Sequence, residues 1–216
     1  MRVLLFDTET NGLPKSWKAS PYDTKNWPII LSIAWQVWEV NTSGITQMDA
    51  GSHMVCPPAD IEWNAESETI HGISQAKARA EGRPPHEVFT SFMNLVRGVH
   101  LIVAHNMSFD KTVLLCEMIR LNPRMVMDWW PRFEYCTCDN TKTLCRLPSQ
   151  QKKPNPKDPY KRPKLVELFK HLFPEKAADF AFHSAEGDVQ CMVECFLELV
   201  RRGHLPLDTW ERSLRV

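Results

Sequence analysis

The stretch VLLFDTETNGLP, Val3–Pro14, decides how the rest of the chain is read. It opens as an apolar run of the kind that fills a buried strand. It then carries two carboxylates, Asp7 and Glu9, two residues apart, before a turn at Asn11–Gly12. Residues i and i+2 of a strand share a face, so the two acids converge if the strand continues to Glu9. Neighbouring carboxylates repel, and one would stay protonated unless a positive charge sits between them. A divalent cation meets that need, and an oxygen-only donor set favours Mg²⁺ or Mn²⁺ over Zn²⁺. The alternative is an acidic strand end fraying into solvent, because D-x-E alone is a common pattern.

Outward from this stretch, Ile29–Val40 and Ile45–Cys56 are rich in β-branched and aromatic residues and flank a turn at Asn41–Gly44. With Val3–Phe6 they predict an antiparallel three-strand meander. Residues 65–74, AESETIHGIS, suit a short helix ending near Gly72, with Ser74 capping another. Apolar residues at 88, 89, 92, 95, 96 and 99 predict a helix over His86–Val99. His100–Ala104 reads as a strand, and Ser108 is expected to cap a helix from Phe109 to about Leu121. Two further helices are expected at Lys164–Phe173 and at about Ala185–Arg202. Strands first, then helices with a strand between them, imply an α/β fold with a mixed central sheet, meander plus parallel strands, flanked by helices.

No internal repeat and no linker divides residues 1–216, which read as a single domain. Within it, residues 148–163, PSQQKKPNPKDPYKRP, are too interrupted by proline for regular structure and read as an exposed loop. From Lys142 to Lys164 there are eight Lys/Arg against one acid, Asp158, while the formal net charge of the whole chain is zero. Global charge therefore points to no nucleic-acid partner, whereas this basic loop, with Tyr160 available to stack, suits one. No run approaches the length of a membrane span, and the N-terminal apolar run breaks too early for a signal peptide. Seven scattered cysteines, an odd number, suggest reduced thiols in a cytoplasmic compartment. Cys136, Cys138 and Cys145 cluster, but C-x-C with a distant third is a poor match to a zinc site, and small buried residues are the better reading.

Two more places repeat the pattern of the opening stretch. LIVAHNMSFD is an apolar strand ending in polar residues and an acid, Asp110. FHSAEGDV puts His183 five residues before Asp188 at the start of the last helix. Strand ends and helix starts can meet at one rim of a sheet.

These motifs resemble, in order, those of the DnaQ-like family of 3′–5′ exonucleases, in its DEDDh branch, which includes the proofreading epsilon-subunit exonuclease domain of bacterial DNA polymerase III. The matching elements are D-x-E in FDTETNGLP, the acid of AHNMSFD and H-x4-D in HSAEGD, and ETIHGIS at 68–74 resembles the segment between the first two. The resemblance covers residues 3–200. It implies a ribonuclease-H-like fold and a hydrolase that releases 5′-mononucleotides from the 3′ end of a nucleic acid. It implies that Asp7, Glu9, Asp110 and Asp188 bind two divalent cations, Mg²⁺ or Mn²⁺, with Glu9 counted among the catalytic groups. Two metals hold the attacking and leaving oxygens of a phosphodiester, and His183 is the candidate general base because imidazole titrates near neutrality.

The resemblance further implies that Thr8, Thr10, Gly12 and Leu13 meet the terminal nucleotide, with Leu13 wedged against the last base. His71, His105, Asn106 and Phe109 would line its pocket; His105 serves equally as a hydrogen-bonding support, and Phe109 and Ile73 equally as core. The chain departs from the family pattern at Glu186, where relatives carry an apolar residue. Glu186 lies roughly 200° around the helix from Asp188 and is not counted as a ligand.

The expected substrate is a single-stranded 3′ end, DNA favoured over RNA because Thr10 follows Glu9, in proofreading, replication or repair, beside a polymerase. Two alternatives stay open: an exoribonuclease that trims RNA, and a non-catalytic module that binds nucleic acid or docks on a polymerase.

Overall fold

The computed structural model describes residues 1–41, 44–124, 130–149, 158–205 and 207–214. One five-stranded sheet, ordered β3-β2-β1-β4-β5, organises them. Strand β1 (Arg2–Thr10) pairs antiparallel with β2 (Ile30–Asn41), which pairs antiparallel with β3 (Gly44–Met54). On its other side β1 runs parallel to β4 (Leu101–Ala104), and β4 runs parallel to β5 (Phe133–Cys136). Short helices α1 (Ala65–His71) and α2 (Gln75–Glu81) precede α3 (Pro85–Arg97), and α4 (Met107–Leu121) follows β4. Beyond β5 come two single turns, α5 (Thr137–Asn140) and α6 (Lys142–Cys145), then α7 (Leu165–Leu172), α8 (Ala185–Arg201) and α9 (Leu207–Leu214).

The alternation of β1 explains the layering. Leu4 and Phe6 join a core with Val88, Phe89 and Phe92 of α3 and Val113 and Leu114 of α4. Val3 and Leu5 join a second core with Leu168 and Phe169 of α7 and Val189, Met192 and Phe196 of α8. These four side chains are fully buried, so the strand is apolar at every position from Val3 to Phe6 because helices cover both faces.

Strands β2 and β3, both short helices, α3, α7 and α8 fall where the sequence places them, to within about two residues, whereas β1 runs on past Phe6 to Thr10 and carries both acids within the strand. Ser74 caps α2 as expected, accepting the Lys77 N–H. Ser108 does not cap α4. The cap position is Asn106, whose left-handed backbone (φ 84°) turns the chain sharply out of β4, so Ser108 falls inside the first turn. Neither β5, whose four residues are too few to show a period, nor α9 is assigned from the sequence. Of the basic loop, residues 150–157 lie outside the described residues; Pro148 and Tyr160 form an antiparallel bridge at its base.

The loop from β1 to β2 is stapled by a pair on α4 that periodicity alone does not suggest. Glu117 is buried and accepts the Ile30 N–H (2.9 Å) and the Arg120 guanidinium (2.8 Å). Arg120 in turn donates to the Thr24, Trp27 and Pro28 carbonyls at 2.6, 2.7 and 3.2 Å. Arg120→Met strands a buried carboxylate and three carbonyls, and is expected to cost about 3–5 kcal/mol in urea unfolding. A loss under about 1 kcal/mol would show that the pair is dispensable.

Candidate active site

The parity that layers the core also sorts the chemistry. Asp7 and Glu9 share the face of Val3 and Leu5, beneath α8; Thr8 shares the face of Leu4 and Phe6, beneath α4. Asp188, in the first turn of α8, accordingly joins Asp7 and Glu9, and one ligand oxygen from each of the three lies within 4.8 Å of the others. On the opposite face, Thr8 Oγ1 donates to Asp110 Oδ1 at 2.7 Å. Because β1 and β4 are parallel, Asp110 in the first turn after β4 comes to the same sheet rim where β1 ends.

Each acid has its carboxyl pushed above the ordinary carboxylate range. Burial, then Asp110, Asp188 and Glu9, push the Asp7 carboxyl well above its usual range. Burial, then Asp188, Asp110 and Glu186, push Glu9 up to about 8. Burial raises Asp110 to about 7 against the opposing bond from Thr8. Burial also raises Asp188, opposed by the backbone N–H and the charge of His183. Among the described residues no lysine or arginine pairs with any of the four. A rim of mutually repelling oxygen donors without a protein cation fits hard divalent cations.

The Thr8 hydroxyl thus supports the Asp110 carboxylate. Thr8→Val is expected to cost about 1–3 kcal/mol in stability with metal present. It should also raise the Mn²⁺ concentration needed for half-maximal thermal stabilisation; an unchanged Mn²⁺ midpoint would remove this role.

His183 sits five residues before Asp188 with a left-handed backbone (φ 64°), and its N–H donates to Asp188 Oδ2 at 3.2 Å. Its side chain is exposed. The helix start that follows depends on Gly187, where an added Cβ would meet the Ala181 carbonyl oxygen at 2.2 Å. Ser184 caps α8 by accepting the Gly187 N–H. Neither Gly187 nor Ser184 stands out in the sequence as part of the site; the S-x-x-G spacing at a helix start is the signal. Glu186 is exposed, lines a cleft of about 260 Å³ with Gln36, Ser52 and Val189, and adds negative charge near Glu9.

Thr10 is buried and its hydroxyl closes a turn on the Gly12 carbonyl at 2.7 Å. Gly12 packs against Asn64 at a φ of 152°, and Leu13 beside it is 72% exposed. His71 accepts the Ile73 N–H on Nδ1, while its buried Nε2 has no hydrogen-bond partner. His105 is spoken for at both ring nitrogens, by Thr137 Oγ1 (2.9 Å) and the Pro163 carbonyl (3.1 Å). Burial lowers its pKa to about 4, so it is neutral and acts as a tie between β4, α5 and the end of the basic loop. Asn106 Oδ1 accepts from Ser108 and from Arg162. Phe109 is half-buried under Trp17, and Ile73 is core.

The basic loop offers fewer free cations than its composition suggests. Lys142 pairs with Asp158, Lys161 with Glu167 and Arg162 with Asp139. Lys152 and Lys153 lie outside the described residues, as do Asp128 and Trp129 of the DWWP stretch. All seven cysteines are free. The cysteine cluster divides: Cys136 and Cys138 approach to 3.4 Å on one side of the sheet, with Asp139 nearby, while Cys145 belongs to the other core.

The RNase T family model, described as "Exonuclease", matches residues 4–196. No curated protein matches the sequence. Among solved structures, E. coli Exonuclease I in complex with a dT13 oligonucleotide is similar at a TM-score of 0.66 and 18% identity, over 93% of this chain and 41% of that one. A product-bound exonuclease I gives 0.64 and 17% over 92% and 43%. Exonuclease I from Methylocaldum szegediense gives 0.63 and 17% over 93% and 40%. The chain spans about two fifths of the length of these relatives, and shares with them the RNase H-like exonuclease fold.

Proposed function

Because the chain belongs to the RNase T exonuclease family and is therefore an enzyme that hydrolyses phosphodiester bonds, we propose that it removes 5′-mononucleotides from single-stranded 3′ DNA ends with two Mg²⁺ or Mn²⁺ ions. The observation that carries this is the convergence of Asp7, Glu9 and Asp188 within 4.8 Å, with Asp110 brought to the same rim.

The four carboxylates would hold the ions, which when bound supply an activated water and neutralise charge at the scissile phosphate. The remaining work falls to the chain. Thr8 fixes the Asp110 oxygen, and the Asp188 carboxylate fixes the His183 backbone. His183, exposed beside Asp188, takes the proton of the attacking water. His105, neutral and doubly hydrogen-bonded, is unsuited to that task. Exposed Leu13 suits a wedge against the terminal base. His71 accepts at Nδ1, so its unpartnered buried Nε2 carries the proton and suits a hydrogen bond donated to the terminal nucleotide.

We read residues 1–216 as one exonuclease domain. We place it in the cytoplasm on the strength of its free thiols; no helix among the described residues is long and apolar enough to cross a membrane. Trimming of 3′ ends in replication or repair, by an epsilon-like proofreading nuclease beside a polymerase, is the setting we favour.

Matched single-stranded DNA and RNA oligomers labelled at the 5′ end, with Mg²⁺ or EDTA, test the proposal. A metal-dependent ladder shortening from the 3′ end of DNA is expected. A ladder on RNA alone moves the protein to RNA trimming, since the 2′-hydroxyl decides between them. Binding without cleavage of either would make it a docking module.

A further inference from the structure

The β1–β2 loop displays an aromatic side chain that the site described above does not use. Trp17 is 57% exposed. Its ring lies 5.8 Å from that of Phe109 and 6.3 Å, edge-on, from that of Trp27. Phe109 precedes Asp110 in the first turn of α4, so the Trp17 ring rests on the start of the helix that carries a metal-site acid. Lone exposed apolar residues are ordinary, but this one is held on an unusually fixed support. Its neighbours Lys15 and Ser16 donate backbone N–H groups to Asn26, whose buried amide returns a bond to the Ser16 carbonyl at 2.9 Å. Trp27 Nε1 closes on the Ser20 carbonyl, and Arg120 clamps the far end of the loop. Cys116 closes on the Pro21 carbonyl. Lys15 and Lys18, both exposed, flank Trp17 in the sequence KSWK.

We propose that Trp17, backed by Phe109, is a stacking shelf for a nucleobase of the single-stranded substrate next to the scissile bond, with Lys15 and Lys18 meeting its phosphates. The proposal rests on the nucleic-acid reading above and adds the residues that grip the strand. The chemistry matches the class: a fixed aromatic face interleaved with cations binds single strands without regard to sequence, because every base has a π-face. A Trp17 ring already ordered on Phe109 loses little freedom when a base covers it.

Two substrates separate stacking from catalysis: a single-stranded DNA oligomer, and the p-nitrophenyl ester of thymidine 5′-monophosphate, which has no neighbouring base. Trp17→Ala is expected to raise KM for the oligomer about tenfold more than for the ester, with Trp17→Phe restoring most of the loss. Titrating the full chain with the oligomer in EDTA should quench tryptophan fluorescence, and Trp17→Phe should remove most of that quenching. Equal losses on both substrates, or quenching unchanged by Trp17→Phe, would overturn the shelf. Should the wild-type chain cleave neither substrate yet show Trp17-dependent quenching, the shelf stands and the exonuclease proposal falls.

Discussion

In metal-free buffer at pH 8, Asp7→Asn is expected to melt higher than the wild-type protein, and to lose turnover by about 10³-fold or more when Mg²⁺ is restored. Both effects come from the same crowding. Asp7 is raised by burial and by three neighbouring acids, Glu9 to about 8 and Asp110 to about 7. Unfolded carboxylates titrate near 4. A carboxylate whose folded pKa exceeds its unfolded value contributes stability at low pH and loses it as pH rises through the folded pKa. The metal-free protein should therefore lose stability from about pH 4 toward pH 8, and Asp7→Asn should flatten that decline. Cations reverse the trend by binding the ionised form. At a hundred times Kd they add about 2.7 kcal/mol, or roughly 5–10 °C for a domain of this size. Wild-type turnover in Asp7→Asn would refute the metal assignment.

His183→Ala is the second large effect, a fall in kcat of about 10²–10⁴. Unlike Asp7→Asn, it leaves the four carboxylates in place, so Mn²⁺ should still raise the melting temperature. The acidic limb of the rate profile should vanish with the imidazole. His183 reaches its place through a left-handed residue and a bond to Asp188, and the helix that follows needs Gly187 beneath it. A pH profile identical to wild type would assign the proton transfer to another group.

What the sequence reveals here is what period and order can encode. The period of two in β1 puts Asp7 and Glu9 on one face, and the structure adds the consequence that Thr8 must serve the other. The 3.6 period finds α3 and α8 because each buries a stripe. Other features depend on distant partners and leave no local trace. His105 reads equally as a pocket residue or a hydrogen-bonding support, and only Thr137 and the Pro163 carbonyl, which occupy both its nitrogens, show the supporting role. Glu117 and Arg120 carry no local mark of burial in the sequence, because what buries the pair is the set of β1–β2 loop carbonyls that close on Arg120. Arg162 and Lys161 read as cations of a basic loop until Asp139 and Glu167, supplied by neighbouring elements, are seen to pair with them. Asn106 hides a cap because a left-handed turn, not a capping side chain, starts α4.

Calorimetric titration of the metal-free protein with Mn²⁺ near pH 7, in two buffers of different ionisation enthalpy, tests the carboxylate rim most directly. Two ions should bind to the wild-type chain with release of protons from the raised carboxyls, giving buffer-dependent heats, and Asp7→Asn should abolish at least one of the two events. No binding, or binding that Asp7→Asn leaves intact, would contradict a metal site built from Asp7, Glu9, Asp110 and Asp188.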